Sequence, residues 1–243
     1  VMDGLFCLFP FEPDYFKPFG LDAHFIGHPE AFDDLLPAGP AKQSIQVSTA
    51  QSNKIILLPG SRRSEISLIL PAMLAATAII KRHDPNLNFV LPAVPHLLPL
   101  IQNLVEGSGV TILDQPEDLV PALQTSDAMI ATSGTITLQA ALCGTVGVTC
   151  YLTGAFSGFI GRRLVDLDKV ILPNAILGRP LYPFYFQEAA TGKTLAAATL
   201  DCLCDARAKS NARHAAIELK RLLTGGAQSF DELVISALKN WLD

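Results

Sequence analysis

The sequence contains few charged side chains: they make up 17% of its 243 residues, against about a quarter in a typical globular protein. Basic residues are fewer than acidic ones: the chain has 18 lysines and arginines and 23 aspartates and glutamates, which gives a formal net charge of −5. Because proteins hold a nucleic-acid backbone mainly through basic side chains, this balance predicts no nucleic-acid partner.

Cysteines and long apolar runs are also scarce. The five cysteines are scattered and form no Cys-x-x-Cys pair, which argues against a disulfide scaffold or a zinc site and favours a reducing compartment. The longest apolar run, residues 68–80, has 13 residues and contains a proline, whereas a membrane-spanning helix needs about 20. The first residues do not have the pattern of a secretion signal. We therefore expect a cytoplasmic location.

Apolar residues, by contrast, make up 49% of the chain, enough for a large core. Short apolar runs typical of buried strands occur at 54–58, 87–91, 109–113, 127–131, 146–151 and 169–172. Helical patterns alternate with them at 71–83, 94–106, 116–125, 134–143 and 155–166, and three more follow at 192–205, 207–224 and 228–242. Strand–helix alternation of this kind predicts an α/β fold with a doubly wound parallel sheet.

The first 53 residues have a different composition. Residues 1–30 contain two short strand patterns, and a polar stretch rich in proline, glycine and serine predicts a linker over 31–53. We expect a main domain over 54–190 and a group of C-terminal helices over 191–243. The chain opens with Val1 inside a strand pattern, so either a preceding part is missing or the strand pairs with another chain.

Two strand-to-helix turns could bind an anion at the carboxyl edge of the sheet, where parallel α/β folds bind ligands. In the first, Gly60 allows a tight turn, Ser61 offers a hydroxyl and Arg62 offers a positive charge. In the second, Ser133, Gly134 and Thr135 precede a helix whose first amides are free to bind a phosphate. Each has a plainer interpretation, as an ordinary turn with surface arginines and as a serine N-cap. Together they predict a nucleoside diphosphate lying across this edge.

Other candidate residues carry weaker signals. Glu12, between prolines and aromatics, could act as a general acid or base, or simply cap a turn. His28 could contact a phosphate or transfer a proton, although a lone histidine is more often structural. Residues 155–165 combine aromatic residues with two arginines and could lie on a lipid surface, but a core-facing helix with a solvated basic tip is the commoner explanation.

The motifs occur in one order along the whole chain: FPFEP (9–13), GHP (27–29), LLPGSRRSEI (57–66), TSGTITLQAAL (132–142), LPN (172–174) and Gln187. In this combination the sequence resembles the lipid-A-disaccharide synthase family, glycosyltransferases of the GT-B architecture with two Rossmann-like domains. The resemblance implies transfer of 2,3-diacylglucosamine from UDP to 2,3-diacylglucosamine 1-phosphate, with no metal or other cofactor. It makes residues 1–30 the end of an N-terminal acceptor-side domain and 54–190 the UDP-sugar-binding domain.

The resemblance also implies roles for individual residues. Gly60, Ser61 and Arg62 would hold the diphosphate, and Glu65 would brace their loop. Ser133, Gly134 and Thr135 would take the remaining phosphate or ribose contacts. Residues in three other segments would complete the nucleotide pocket: Gln139, Asn174 and Gln187. Glu12 and His28 would lie near the cleft between the domains.

Four positions depart from the family pattern, which has glutamate where this chain has Gln139 and Phe184, proline where it has Val146 and lysine where it has Leu152. The family's N-terminal part, with the expected base and much of the acceptor surface, is also missing, so the chain alone is expected to bind UDP weakly and to turn over little. The alternatives are an inactive member that acts as a nucleotide-binding or interaction module, and another GT-B enzyme such as a UDP-sugar epimerase. Contact with the inner-membrane surface and homo-oligomer formation stay open.

Overall fold

The computed structural model describes residues 4–35, 53–153 and 170–242. Its main feature is a six-stranded sheet in the order β5-β4-β3-β6-β7-β8, in which every neighbouring pair is parallel. The strands are β3 (Lys54–Leu58), β4 (Asn88–Pro92), β5 (Val110–Leu113), β6 (Ala128–Thr132), β7 (Gly147–Tyr151) and β8 (Phe184–Phe186). A separate parallel pair precedes them, β1 (Gly4–Cys7) and β2 (Asp22–Phe25). The predicted doubly wound α/β fold is confirmed.

Helices cover both faces of the sheet because its central strands are apolar on both sides. Within β3, Ile55 and Leu57 pack into one core layer and Ile56 and Leu58 into the other, as the two-residue repeat of a strand requires. The first layer includes α2 (Arg63–His83), α3 (Leu98–Val105) and α7 (Gly192–Cys204). The second includes α4 (Leu119–Thr125), α5 (Thr135–Leu142), α6 (Leu172–Leu177) and α8 (Ala206–Thr224).

The remaining helices are α1 (Glu12–Phe16) and α9 (Phe230–Leu242). The first segment of the chain contacts the C-terminal helices: the backbone amide of His28 donates to the Leu223 carbonyl at 3.0 Å, and the ring of Phe32 packs edge-on against Phe230. Residues at the start of the predicted linker are part of this packing, since Ala31 and Leu35 are buried in the second core layer. The rest of that linker, 36–52, lies outside the described residues.

Helix α2 has the length and apolar composition of a membrane-spanning segment. The sequence prediction was wrong about its extent: it begins at Arg63 rather than at 71 and continues through Pro71 for 21 residues. Its buried residues, which include Ile66, Ile69 and Met73, recur at helical spacing and pack in the core beside β3. The apolar character of α2 is thus explained by its contact with the sheet.

Two other sequence predictions fail at the end of the sheet. The apolar run at 169–172 is not a strand in its described part, because residues 170 and 171 form a bend and α6 begins at Leu172. The strand beside β7 is instead the three-residue β8. The predicted helix over 155–166 lies outside the described residues.

Candidate functional site

The two anion-suited turns lie side by side at the carboxyl edge of the sheet. They follow β3 and β6, which are adjacent and parallel, with Leu58 paired in register with Ala131. Both turns line one cavity of about 540 Å³, a volume in the range of small-molecule sites. Eight of the predicted nucleotide-binding residues line it: Gly60, Ser61, Arg62, Glu65, Ser133, Gly134, Thr135 and Gln139.

The turn after β3 is shaped by Gly60 and held by an ion pair. The φ angle of Gly60 is +102°, and a β-carbon there would lie 2.6 Å from Oε2 of Glu65. Glu65 is largely buried and its Oε1 accepts a 2.9 Å hydrogen bond from Nη1 of Arg62, whose own side chain is 78% exposed. This pair orients the guanidinium at the cavity wall while leaving donors for an anion.

The turn after β6 leaves polar groups free to bind a ligand. Gly134 occupies the N-cap position of α5 and provides no side-chain cap. The Thr137 amide donates to the Gly134 carbonyl at 3.1 Å, whereas no group in the described part of the chain accepts a hydrogen bond from the first two amides of the helix, those of residues 135–136. The N-cap role considered for Ser133 is therefore not what the structure has. Thr132, also on the cavity wall, is 3% exposed, and its hydroxyl has no hydrogen-bond partner among the described residues. A buried hydroxyl without a partner indicates a position where a ligand or water would bind.

Sequence reasoning did not identify Thr132 or Glu30 as site residues. Glu30 lines the same cavity from the 3₁₀ turn Pro29–Ala31. Burial and the nearby negative charge of Asp33 raise its pKa. Its sequence position, directly after the GHP motif, was the available signal. The rest of the wall is mostly apolar, from Leu58, Pro92, Ala93, Val94, Pro95, Leu119 and Ile136, with Pro59 and Gln115 beside them.

The structure does not place Asn174 in this cavity, contrary to the sequence prediction. Its side chain is buried, donates to the Tyr182 carbonyl at 3.0 Å and accepts from the amides of Leu181 and Tyr182 at 2.9 and 3.1 Å. These bonds connect α6 to the segment before β8. Gln187 does not line the cavity either: it follows β8, and its side-chain amide donates to the Thr153 carbonyl at 3.1 Å.

Replacing Asn174 by alanine is expected to destabilise the fold by about 3 kcal/mol. Three hydrogen bonds are lost, so that one buried amide, one partly buried amide and a buried carbonyl lose this partner. Urea denaturation measures this loss. Asn211→Ala, at an exposed position of α8, is the matched control and should stay within about 0.5 kcal/mol of the parent chain. If Asn174→Ala left the stability unchanged but weakened nucleotide binding, Asn174 would contact the ligand after all.

Glu12 and His28 lie near each other but not in the cavity. Oε2 of Glu12 accepts from the backbone amides of Leu8 and Phe9, both at 3.0 Å, which matches the turn-capping alternative. The ring of His28 stacks on Phe9, with centroids 5.5 Å apart, and its Nδ1 is buried without a hydrogen-bond partner in the described part of the chain. Burial lowers the pKa of His28, so the ring is neutral near pH 7. Catalytic roles for either residue stay predictions.

A doubly wound parallel sheet of this kind defines the class: the chain has the fold of GT-B glycosyltransferases. Two solved structures share it. One is a putative UDP-N-acetylglucosamine 2-epimerase from Listeria monocytogenes, with a TM-score of 0.55 and 13% identity over 99% of this chain and 60% of that one. The other is the calicheamicin glycosyltransferase, with a TM-score of 0.54 and 14% identity over 100% of this chain and 53% of that one.

Sequence comparison narrows the class to a family. The model of the lipid-A-disaccharide synthetase family matches residues 1–237. A lipid-A-disaccharide synthase of Burkholderia lata is 39% identical over 211 residues, which cover 84% of this chain and 53% of that protein. The chain therefore belongs to the lipid-A-disaccharide synthase family, as the motifs predicted, and spans about half the length of this curated relative.

Proposed function

We propose that this chain is the donor-binding part of a glycosyltransferase of lipid A biosynthesis. In the proposed reaction 2,3-diacylglucosamine moves from UDP to the 6-hydroxyl of 2,3-diacylglucosamine 1-phosphate, giving the β-1,6-linked disaccharide phosphate and UDP. The observation that carries the proposal is the convergence of two anion-suited turns, one with Arg62 and one at the start of α5, on one cavity. Family membership supports the substrate class.

Binding of the diphosphate is the step that the described residues support best. The uncapped amides at the start of α5 would bind one phosphate, and Arg62 would bind the other. As the bond between the anomeric carbon and the diphosphate breaks, negative charge grows on the departing UDP. Amides and a guanidinium already fixed in place stabilise that charge without further reorganisation, which lowers the barrier to departure.

The cavity offers a different surface for the base of the nucleotide. Its apolar wall comes largely from the β4–α3 connection, including Pro92, Val94 and Pro95, and from Leu119 at the start of α4. A uracil ring has two apolar faces and suits a wall of this kind. We therefore expect the diphosphate at the two turns and the base towards the β4–α3 connection.

The location that we propose is the cytoplasmic surface of the inner membrane, because both substrates are lipids. A net charge of −5 gives the chain no attraction to an anionic leaflet, so contact would depend on apolar side chains. The segment considered for this contact, 155–165, lies outside the described residues.

Calorimetric titration with UDP and uridine tests the nucleotide site. We expect UDP to bind and uridine to bind at least tenfold more weakly, because uridine lacks the diphosphate that the two turns would hold. UDP-2,3-diacylglucosamine and unacylated UDP-N-acetylglucosamine then separate a lipid A enzyme, which should prefer the first, from a UDP-sugar epimerase. Failure to bind UDP would contradict the proposal.

A second candidate is a family member that binds the nucleotide without transferring sugar. Gln139 favours it, because this cavity residue is an amide where the family pattern has a carboxylate. Incubation with both lipid substrates and detection of the disaccharide by mass spectrometry distinguishes the two candidates. Formation of the disaccharide supports the transferase, whereas UDP binding without any product supports the binding module.

A further inference from the structure

Glu30 is an acidic residue of the cavity that has no partner among the described residues. It is half-buried in the turn Pro29–Ala31, and its carboxylate makes no hydrogen bond or ion pair within the described ranges 4–35, 53–153 and 170–242. Acidic side chains are rarely withdrawn from water without a compensating contact. A carboxylate in this situation, on the wall of a ligand-sized cavity, is available to accept hydrogen bonds from a ligand.

Helix α5 connects the phosphate-binding turn with the part of the cavity near Glu30. One side of α5 carries residues at intervals of four: Thr135, Gln139 and, just after the helix, Cys143. Each interval of four residues corresponds to a rise of about 6 Å along the helix axis. Thr135 and Gln139 line the cavity. Burial, with a further contribution from the negative charge of Glu30, raises the pKa of Cys143 to about 12. Glu30 lines the same cavity as Thr135 and Gln139, and its charge also acts on Cys143, just after the C-terminal end of α5.

The chemistry of the donor indicates what Glu30 would bind. A carboxylate repels a diphosphate but accepts hydrogen bonds from hydroxyl groups, and its two oxygens suit two adjacent hydroxyls. In the proposed donor, positions 2 and 3 of the glucosamine are acylated, whereas the ribose has free neighbouring hydroxyls at its 2′ and 3′ positions. The ribose also adjoins the diphosphate, as Gln139 adjoins Thr135 on α5.

We propose that Glu30 accepts hydrogen bonds from the ribose 2′- and 3′-hydroxyls of the UDP moiety, beside Gln139, and so selects ribonucleotides. This inference rests on the proposed function, because it assumes that a nucleoside diphosphate occupies the cavity. It assigns the polar contact with the nucleoside to a residue outside the main sheet, in the turn that follows β2.

An experiment on the 243-residue chain compares UDP with 2′,3′-dideoxy-UDP by calorimetry. The parent chain should prefer UDP by about tenfold, the effect of a hydrogen bond to a charged acceptor. Glu30→Gln should bind the dideoxy compound as the parent does but lose most of the preference for UDP. Glu117→Gln is the matched control, because Glu117 is exposed near the same cavity without lining it, and it should keep the preference.

Thermal unfolding of the same variants separates a binding role from a structural one. Because the pKa of Glu30 is raised in the folded chain, its ionised form destabilises the fold, and stability falls as the pH rises through that pKa. The other titratable groups at its turn, beside it or on the cavity wall are His28, Asp33, Cys143, Arg62 and Glu65. Glu30→Gln should therefore raise the melting temperature at pH 7.5, by about 2 °C. A structural role would lower it.

The outcomes distinguish failure of the proposed function from failure of the role assigned to Glu30. If the parent chain binds neither UDP nor its dideoxy analogue, the proposed function fails and the role of Glu30 fails with it. If the parent binds both equally, or if Glu30→Gln keeps the preference for UDP, the inference about Glu30 is overturned and the nucleotide site stands. A preference lost in Glu30→Gln and kept in Glu117→Gln supports the inference.

Discussion

Arg62→Ala is expected to weaken UDP binding by about 10- to 30-fold, the largest effect on affinity that the cavity predicts for a single side chain. The guanidinium lines the cavity and Glu65 holds it on one side, so its remaining donors can bind a phosphate oxygen. Removal of a charge-assisted hydrogen bond to phosphate costs about 1.5–2 kcal/mol when the site is partly open to water. Calorimetry at fixed ionic strength measures the change.

The adjacent arginine provides the control. Arg63 is exposed, carries the same charge one residue along the chain and does not line the cavity. Arg63→Ala should change the affinity less than threefold, because a screened charge outside the site has a small effect. Equal losses in the two variants would show that net charge, and not the position of Arg62, attracts the nucleotide.

Gly147→Ala is expected to destabilise the fold by about 4 kcal/mol or more, the largest expected effect on stability. Gly147 begins β7 and is paired in register with Met129 on β6. A β-carbon on Gly147 would overlap the Met129 carbonyl oxygen and lie 2.8 Å from the Met129 amide nitrogen, at a φ angle of +156°. Because both atoms belong to the backbone of a buried strand, relief requires the two strands to separate. Chemical denaturation measures the loss.

Gly178→Ala distinguishes crowding from backbone conformation. Gly178 has a φ angle of +64°, and a β-carbon there would have no heavy atom within 4 Å. Its replacement should cost about 1 kcal/mol, the ordinary penalty for a side chain in the left-handed region. Similar losses at Gly147 and Gly178 would mean that the close approach of β6 and β7 is not what makes Gly147 necessary.

Local patterns predicted most of the fold because the strands that form its centre are buried on both sides. Five strands of the main sheet, β3 to β7, were predicted within two residues of their observed ends. Errors occur where tertiary contacts decide. The three-residue β8 has no clear pattern of its own and becomes a strand by pairing with β7. At α2, the sequence pattern predicted a helix from residue 71, but core packing of the preceding turns extends the helix to Arg63.

The candidate site, too, was predicted in part from local sequence and decided in part by tertiary contacts. The two turns carry their chemistry in short segments, so Gly60, Arg62 and Ser133 were identified from residue types, and the parallel sheet predicted that they would meet. Asn174 also has a suitable residue type, but its neighbours satisfy it within the fold. Glu30 and Thr132 had no local signal strong enough to identify them, because what distinguishes them is the lack of a hydrogen-bond partner in the described part of the chain.

The sequence alone therefore determined the alternation of strands and helices, the family, and which turns could bind an anion, since each depends on residues close together in the chain. Only the tertiary structure decided that both turns line one cavity, that Asn174 is a structural residue and that Glu30 reaches this cavity from the segment before the main domain. The physical reason is that burial and hydrogen-bond partners come from residues far apart in the chain, which no local pattern specifies.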